Sequence, residues 1–247
     1  MRFFIEISYK GSGYHGWQIQ PNANTIQGEI NDALTTILKN KIDVVGAGRT
    51  DTGVHATQMF AHFDFKDNLE IQELILKLNG FLPEDIVIHN IYKVSHTAHA
   101  RFDAISRTYD YHIIQKKDPF IKHAYFLYQD INIDAMNQAS QYLLGQHDFT
   151  SFAKVNSETH TNNCEIMKAI WSRREKQIIF TIKANRFLRN MVRAIVGTLL
   201  EIGKEKMSPD ILKQIIYNKN RNSAGPSVPA CGLFLKNIDY PKDIFNE

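Results

Sequence analysis

Cysteine is nearly missing: Cys164 and Cys231 are the only two in 247 residues, and no C-x-x-C pair occurs. That excludes a disulfide scaffold and a cysteine zinc cluster. No apolar run approaches the ~18 residues that span a bilayer. The opening MRFFIEISYKG alternates apolar and polar residues, with no long apolar segment of the kind that directs export. A reducing cytoplasm is therefore the expected location. Low-complexity tracts and sequence repeats are missing as well. Nor is there a marked excess of one charge: 29 Lys and Arg against 26 Asp and Glu give +3, with a pI near 8.7. That balance permits a nucleic-acid partner without arguing for one, because dedicated binders usually have a domain pI above ~9. What is present, 43% hydrophobic and 22% charged residues, is the composition of one or two globular domains, not of a disordered chain.

Residues 2–10 alternate as a strand, with Phe3, Ile5, Ile7 and Tyr9 on one side. Thr25 then opens a helix: Ile26, Ile30, Ala33, Leu34, Ile37 and Leu38 recur at the spacing of one helical face. Residues 41–46 and 57–65 read as strands, 70–81 as a helix closed by Pro83, and 85–95 as another strand. Beyond a boundary near 96–106 the same alphabet recurs. It begins with a strand over 107–115, a helix over 133–144 with Gly145 as its stop, and a hairpin over 164–174 and 176–184. Helices over 187–202 and 209–218 and a last strand over 232–240 follow. Paired strands with single intervening helices predict an α+β protein. Its two similar halves, residues 1–100 and 101–247, would carry mainly antiparallel sheets.

Gly11-Ser12-Gly13-Tyr14-His15-Gly16 spells G-x-G-x-x-G after a strand. A dinucleotide site needs a helix to open within that motif. Trp17-Gln18-Ile19-Gln20-Pro21 follows instead, so a glycine-rich turn is the better reading. The most unusual stretch is Gly46-Ala47-Gly48-Arg49-Thr50-Asp51-Thr52-Gly53-Val54-His55-Ala56, a loop between two strands. Glycine lets backbone approach a ligand closely. A carboxylate held ionised by a nearby cation suits a nucleophile or general base. The plainer alternative for Arg49 and Asp51 is a structural turn with a surface ion pair. Asp51, His55 and His62 can also be drawn as metal ligands, but His62 alternates within a strand and no recognised zinc spacing is completed.

Arg107-Thr108-Tyr109-Asp110-Tyr111-His112 puts Tyr109 and Tyr111 on one strand face. Paired tyrosines are usually core or interface; the functional alternative is a base-stacking platform. The stretch from Lys183 through Arg186 and Arg189 to Arg193 gathers four cations and no anion across a strand end and a helix start. Cations there oppose the helix dipole, and Arg189 with Arg193 would form a like-charge i,i+4 pair. A segment that accepts both costs points to a phosphate or a buried carboxylate.

Taken in order, these segments resemble the tRNA pseudouridine synthase A family. The likeness runs through Tyr14-His15-Gly16-Trp17-Gln18-Ile19-Gln20-Pro21, Thr25-Ile26-Gln27-Gly28 and the stretch from Gly48 to Ala56. It continues through His99-Ala100-Arg101-Phe102-Asp103-Ala104, Arg107 to Tyr111, and Gly145-Gln146-His147-Asp148-Phe149-Thr150-Ser151-Phe152. The arginine cluster with Val196-Gly197 and the Gly232-Leu233 strand close the series.

The resemblance implies the pseudouridine synthase fold, with two similar halves joined across a central catalytic cleft, usually in a homodimer. It implies isomerisation of uridine at positions 38, 39 and 40 of the tRNA anticodon stem-loop, with no cofactor and no metal. Asp51 would be the essential carboxylate, Arg193 its charge partner, and Tyr109 the side chain packed on the target base. Arg49 would hold the target nucleotide out of the helix. Lys183, Arg186 and Arg189 would contact RNA, Leu233 would wall the uracil pocket, and residues 11–16 would form an RNA-facing loop. Thr52, where alanine is more usual, and Thr161-Asn162-Asn163-Cys164 depart from the family pattern. A non-catalytic RNA-binding module, and a metal-dependent hydrolase built on Asp51, His55 and His62, are the competing functions.

Overall fold

The computed structural model describes residues 1–154 and 160–245. The chain forms two compact units, one of Met1–Ile105 with Phe234–Glu247, the other of Ser106–Leu233. Both mix strands and helices, as the patterning predicts.

The first unit opens with β1 (Arg2–Tyr9) and helix α1 (Ile26–Leu38). The Thr25 hydroxyl caps α1 by accepting the Gly28 N–H at 3.3 Å, a contact worth about 1 kcal/mol. Ile26, Ile30, Ala33 and Leu34 form its buried face. Lys39, in the left-handed conformation, ends it. Next come β2 (Val45–Gly46), β3 (His55–Asp64), α2 (Ile71–Phe81) and β4 (Ile86–Val94). β1 pairs antiparallel with both β3 and β4, in a register that sets Phe3 opposite Phe63 and Ile5 opposite Ile91. The strand expected over 41–46 is only Val45–Gly46. Residues before it are tied to α1 instead: Asn31 Oδ1 accepts the Val44 N–H at 2.9 Å and Thr35 Oγ1 the Ile42 N–H at 3.1 Å.

The second unit holds β5 (Ser106–Ile114), β6 (Tyr125–Phe126), α3 (Ile133–Ser140), β7 (Gly145–Asp148), β8 (Asn163–Arg174) and β9 (Gln177–Ala184). Helices α4 (Met191–Gly203) and α5 (Ile211–Asn218) follow. β9 pairs antiparallel with β5 and β8, and β8 with β7. β6 adds a short parallel pair to β5. The helix expected over 133–144 ends at Ser140 and gives way to a 3-10 turn over Gln141–Leu143, so Gly145, at φ +90°, opens β7 and is not the helix stop. α4 is the core of this unit, with eleven buried residues from Met191 to Gly203. It begins at Met191, four residues later than its apolar pattern suggests, because Asn190 takes φ +66°. Arg189 therefore lies outside the helix, and its expected i,i+4 repulsion with Arg193 does not arise.

The last strand, β10 (Leu233–Asp239), returns to the first unit. Its position in the chain places this strand with the second half, residues 101–247. Two contacts explain the return. Phe234 and Leu235 pair parallel with His55 and Ala56 of β3. Beyond the strand, the rings of Tyr240 and Phe245 pack edge-on against Phe4 at 5.5 and 6.0 Å, so the tail covers apolar surface of β1. Among the described residues no helix is long and apolar enough to cross a membrane.

His62, buried on β3, gives this unit an acid-sensitive point. Its Nδ1 accepts the Ala100 N–H at 3.2 Å. Burial, then the nearby Arg2 and His99, lower its pKa from 6.5 to about 4, against weaker pulls from Asp64 and Asp103. As pH falls, the unfolded chain takes up this proton first, so stability is lost between about pH 6.5 and 4. In thermal melts across that window, His62→Asn, which keeps an acceptor for Ala100, should remove on the order of 2 kcal/mol of the loss. An unchanged pH dependence would assign the sensitivity elsewhere, with His99, shifted the same way, as the next group to test.

Candidate active site

Asp51 lies half-buried on the loop between β2 and β3. Its neighbours hold it from three sides. The preceding residue, Thr50, is buried, and its hydroxyl meets the Tyr9 phenol at 2.8 Å. The Thr50 carbonyl accepts the Trp17 N–H at 3.1 Å. On the other side the Asp51 carbonyl accepts the Val54 N–H at 3.1 Å, closing a tight turn through Gly53 at φ +78°. Gly16, at φ +92°, passes so close behind the loop that a Cβ there would sit 2.5 Å from the Thr50 carbonyl oxygen.

Much of the sequence before the loop serves this brace. Tyr14 is buried, and its phenol donates to Asp85 at 2.7 Å. The Trp17 indole lies on Gly46, where a Cβ would come within 2.4 Å of Nε1. Gln27 reaches from α1 to donate to the Val44 carbonyl at 2.8 Å and to accept the Ile19 N–H at 3.0 Å. The segment expected to face RNA thus has a buried side of Gly11, Tyr14 and Gly16, with Ser12, Gly13 and His15 exposed. It makes a short 3-10 turn at Gly11–Gly13 and opens no helix, as expected for a glycine-rich turn.

Arg49 is exposed, two residues from Asp51. The histidines once drawn as metal ligands do not converge. His55 is fully buried, accepts the Gly11 N–H on Nδ1 at 3.1 Å, and stacks on Phe234 at 4.7 Å. His62 is seven residues further along β3, about 20 Å at the rise of a strand. Each Nδ1 is already committed to a backbone N–H. A hydrolase built on Asp51, His55 and His62 has no geometric support.

The remaining candidates lie in the second unit. Tyr109 is half-buried on β5, with Phe187 edge-on to its ring at 5.2 Å and 89°. Tyr111, on the same face, is a core residue. It is fully buried, its phenol donates to the Pro229 carbonyl at 2.9 Å, and burial pushes its pKa up. Tyr111 therefore follows the core reading of the pair. Arg193 sits in the first turn of α4, its Nε donating to the Val228 carbonyl at 2.7 Å. The Val228 N–H donates in turn to the Arg193 carbonyl at 3.2 Å. The first tie orients the guanidinium, and the second holds Val228 against the helix backbone. Both are possible because Gly197 lets residues 226–228 lie against α4, where a Cβ would meet the Pro226 oxygen at 1.7 Å. Lys183 and Arg186 are half-buried, Arg189 is exposed, and Leu233 is buried at the start of β10.

Tyr9, Gly16, Trp17 and Thr50 were not singled out as site residues from sequence. Tyr9 read as one more apolar position of a strand, and only the fold shows its hydroxyl on Thr50.

The first unit thus holds the Asp51 backbone firmly on its loop, and the second unit separately carries the half-buried Tyr109 and an Arg193 guanidinium tied to Val228, within an α+β protein. Residues 6–103 and 139–241 match the model of a family described as tRNA pseudouridine synthase. The chain belongs to that family. It is 51% identical to the tRNA pseudouridine synthase A of Azobacteroides pseudotrichonymphae, over 99% of this chain and 98% of that protein. The proteins of the same name from Bacteroides fragilis and Bacteroides thetaiotaomicron are 48% and 46% identical, over 99% and 100% of this chain and 98% and 93% of theirs. A chain of the solved Cbf5-Nop10-Gar1 complex superposes with a TM-score of 0.35 at 12% identity, over 80% of this chain and 54% of that one. That likeness is too loose to bear on fold or activity.

Proposed function

We propose that this protein isomerises uridine to pseudouridine in tRNA, at positions 38, 39 and 40 of the anticodon stem-loop. Full-length likeness to proteins named tRNA pseudouridine synthase A carries this reading. The braced Asp51 loop gives it a chemistry. The N1–C1′ bond breaks, the uracil turns, and C5 bonds to C1′. The proton lost from C5 is balanced by one gained at N1. No electrons are gained or lost overall, so the reaction balances without a redox cofactor, and no metal step is proposed.

Asp51 is assigned as the nucleophile at C1′ or C6, which requires the ionised carboxylate. Arg193 is assigned as its charge partner, on the family resemblance. Tyr109 is assigned to stack on the target base. Lys183, Arg186 and Arg189 are assigned to phosphates, and Leu233 to the wall of the uracil pocket. A homodimer working in the cytoplasm completes the reading, and both rest on the resemblance.

A uridine in a stem must leave its stack, at a cost of a few kcal/mol. Arg49, exposed on the same loop as Asp51, is assigned to offset part of that cost. Arg49→Ala should therefore slow single-turnover pseudouridine formation about tenfold while weakening tRNA binding less than about threefold. Equal losses in rate and binding would reassign Arg49 to simple phosphate contact. The function itself is tested by carbodiimide mapping of an unmodified tRNA transcript incubated with the protein. New reverse-transcription stops at 38–40 are expected. Their absence, with chelator present or not, would remove the reading.

A further inference from the structure

Phe102 is 74% exposed, yet it is held rather than loose. Its ring lies 4.2 Å from the His99 imidazole. His99 meets His62 edge-on at 4.6 Å, and His62 stacks toward the buried Phe4 at 6.1 Å. A column of rings thus runs from the core of the first unit to its surface. The backbone beneath is locked: His99 donates its N–H to Asp103 Oδ2 at 2.7 Å, and Asp103 returns an N–H to the His99 carbonyl at 3.1 Å. The His99 Nδ1 accepts N–H groups from Arg101 at 3.1 Å and Phe102 at 3.4 Å. The turn is pinned from outside as well. Arg2 donates to the Ala98 carbonyl at 2.9 Å, and the Tyr240 phenol to that of Ala100. Arg101, also exposed, sets its guanidinium 5.8 Å from the Phe102 ring centre.

Leaving an apolar ring in water forgoes burial energy. Here a turn with six hydrogen-bonded ties keeps the ring there, with a cation beside it. Other exposed aromatics, such as Phe120 and Tyr217, lack such a backing ring among the described contacts. A rigid aromatic face beside an arginine is what stacks an unstacked nucleobase while meeting its phosphate. We infer that Phe102 and Arg101 form a stacking platform for an unpaired nucleobase of the tRNA, apart from the uridine being isomerised. This rests on tRNA being the substrate.

The test compares tRNA binding by the full chain and by Phe102→Ala, Phe102→Leu and Phe102→Trp, after melts confirm equal stability. Loss of the π-face in the alanine and leucine variants should raise Kd about tenfold, and Phe102→Trp should bind as the wild type does. The added tryptophan emission should be quenched by tRNA. Wild-type Kd in Phe102→Ala or Phe102→Leu overturns the platform. So does a change in oligomeric state that accounts for the weakened binding, since the ring then meets a second copy. Pseudouridine formation by the wild type on the same transcript is read separately. A protein that binds but does not isomerise removes the proposed function and leaves the platform standing.

Discussion

Asp51→Asn should bind tRNA as tightly as the wild type and isomerise essentially none of it. The substitution keeps size and shape, removes the charge and replaces one acceptor oxygen by an N–H donor. Backbone hydrogen bonds, the Thr50 hydroxyl and the close approach of Gly16 place the loop, and the substitution leaves all of them in place, so the fold and the loop should survive. What is lost is the nucleophile, and losses of that kind reduce turnover by about 10⁴-fold or more. Single-turnover rates measured beside filter binding separate the two effects. A mutant rate within about tenfold of wild type would move the chemistry off Asp51.

Gly16→Ala should cut the rate sharply although it touches no assigned catalytic group. Two costs coincide. The backbone at φ +92° is strained for any residue with a Cβ, and the new methyl would sit 2.5 Å from the Thr50 oxygen and 3.1 Å from the Asp51 carbonyl carbon. Backbone is all there is on that side, so relief requires the Asp51 loop to move. A misplacement of about 1 Å can cost about a hundredfold in rate. The expected result is a fall in kcat of that order, with KM for tRNA within about threefold and a melting temperature lowered by a few degrees. A wild-type kcat would show that the loop does not depend on this brace. Equal effects on kcat and KM would point to a generally loosened fold instead.

The parts of the fold visible from sequence are those set by local period. The α1 face, the alternation of β1 and the β8–β9 hairpin all follow from side chains within a few residues of one another. The parts that were not visible depend on distant chain. β10 pairs with β3 across nearly the whole sequence, as the Thr57 hydroxyl donating to the Lys236 carbonyl at 3.0 Å illustrates. Nothing in residues 232–240 alone marks that destination. The start of α4 was misplaced because Phe187, Leu188, Met191 and Val192 fit a helical stripe, whereas the left-handed Asn190 breaks it. The site divides in the same way. Asp51 and Arg49 stand out through the glycines around them, of which Gly53 turns the chain at φ +78° and Gly46 makes room for the Trp17 indole. Tyr9 and Thr50 leave no such mark, since a tyrosine at a strand end and a threonine in a loop are ordinary until their hydroxyls are seen 2.8 Å apart.

The central claim is that this chain breaks and remakes the uridine glycosidic linkage through C5. Tritium release from tRNA transcribed with [5-³H]uridine reads that event directly, because C5 loses its hydrogen only when it becomes the new point of attachment. Wild-type protein should release tritium in step with pseudouridine formation, and Asp51→Asn should release essentially none. No release by the wild type, or normal release by Asp51→Asn, would contradict the account.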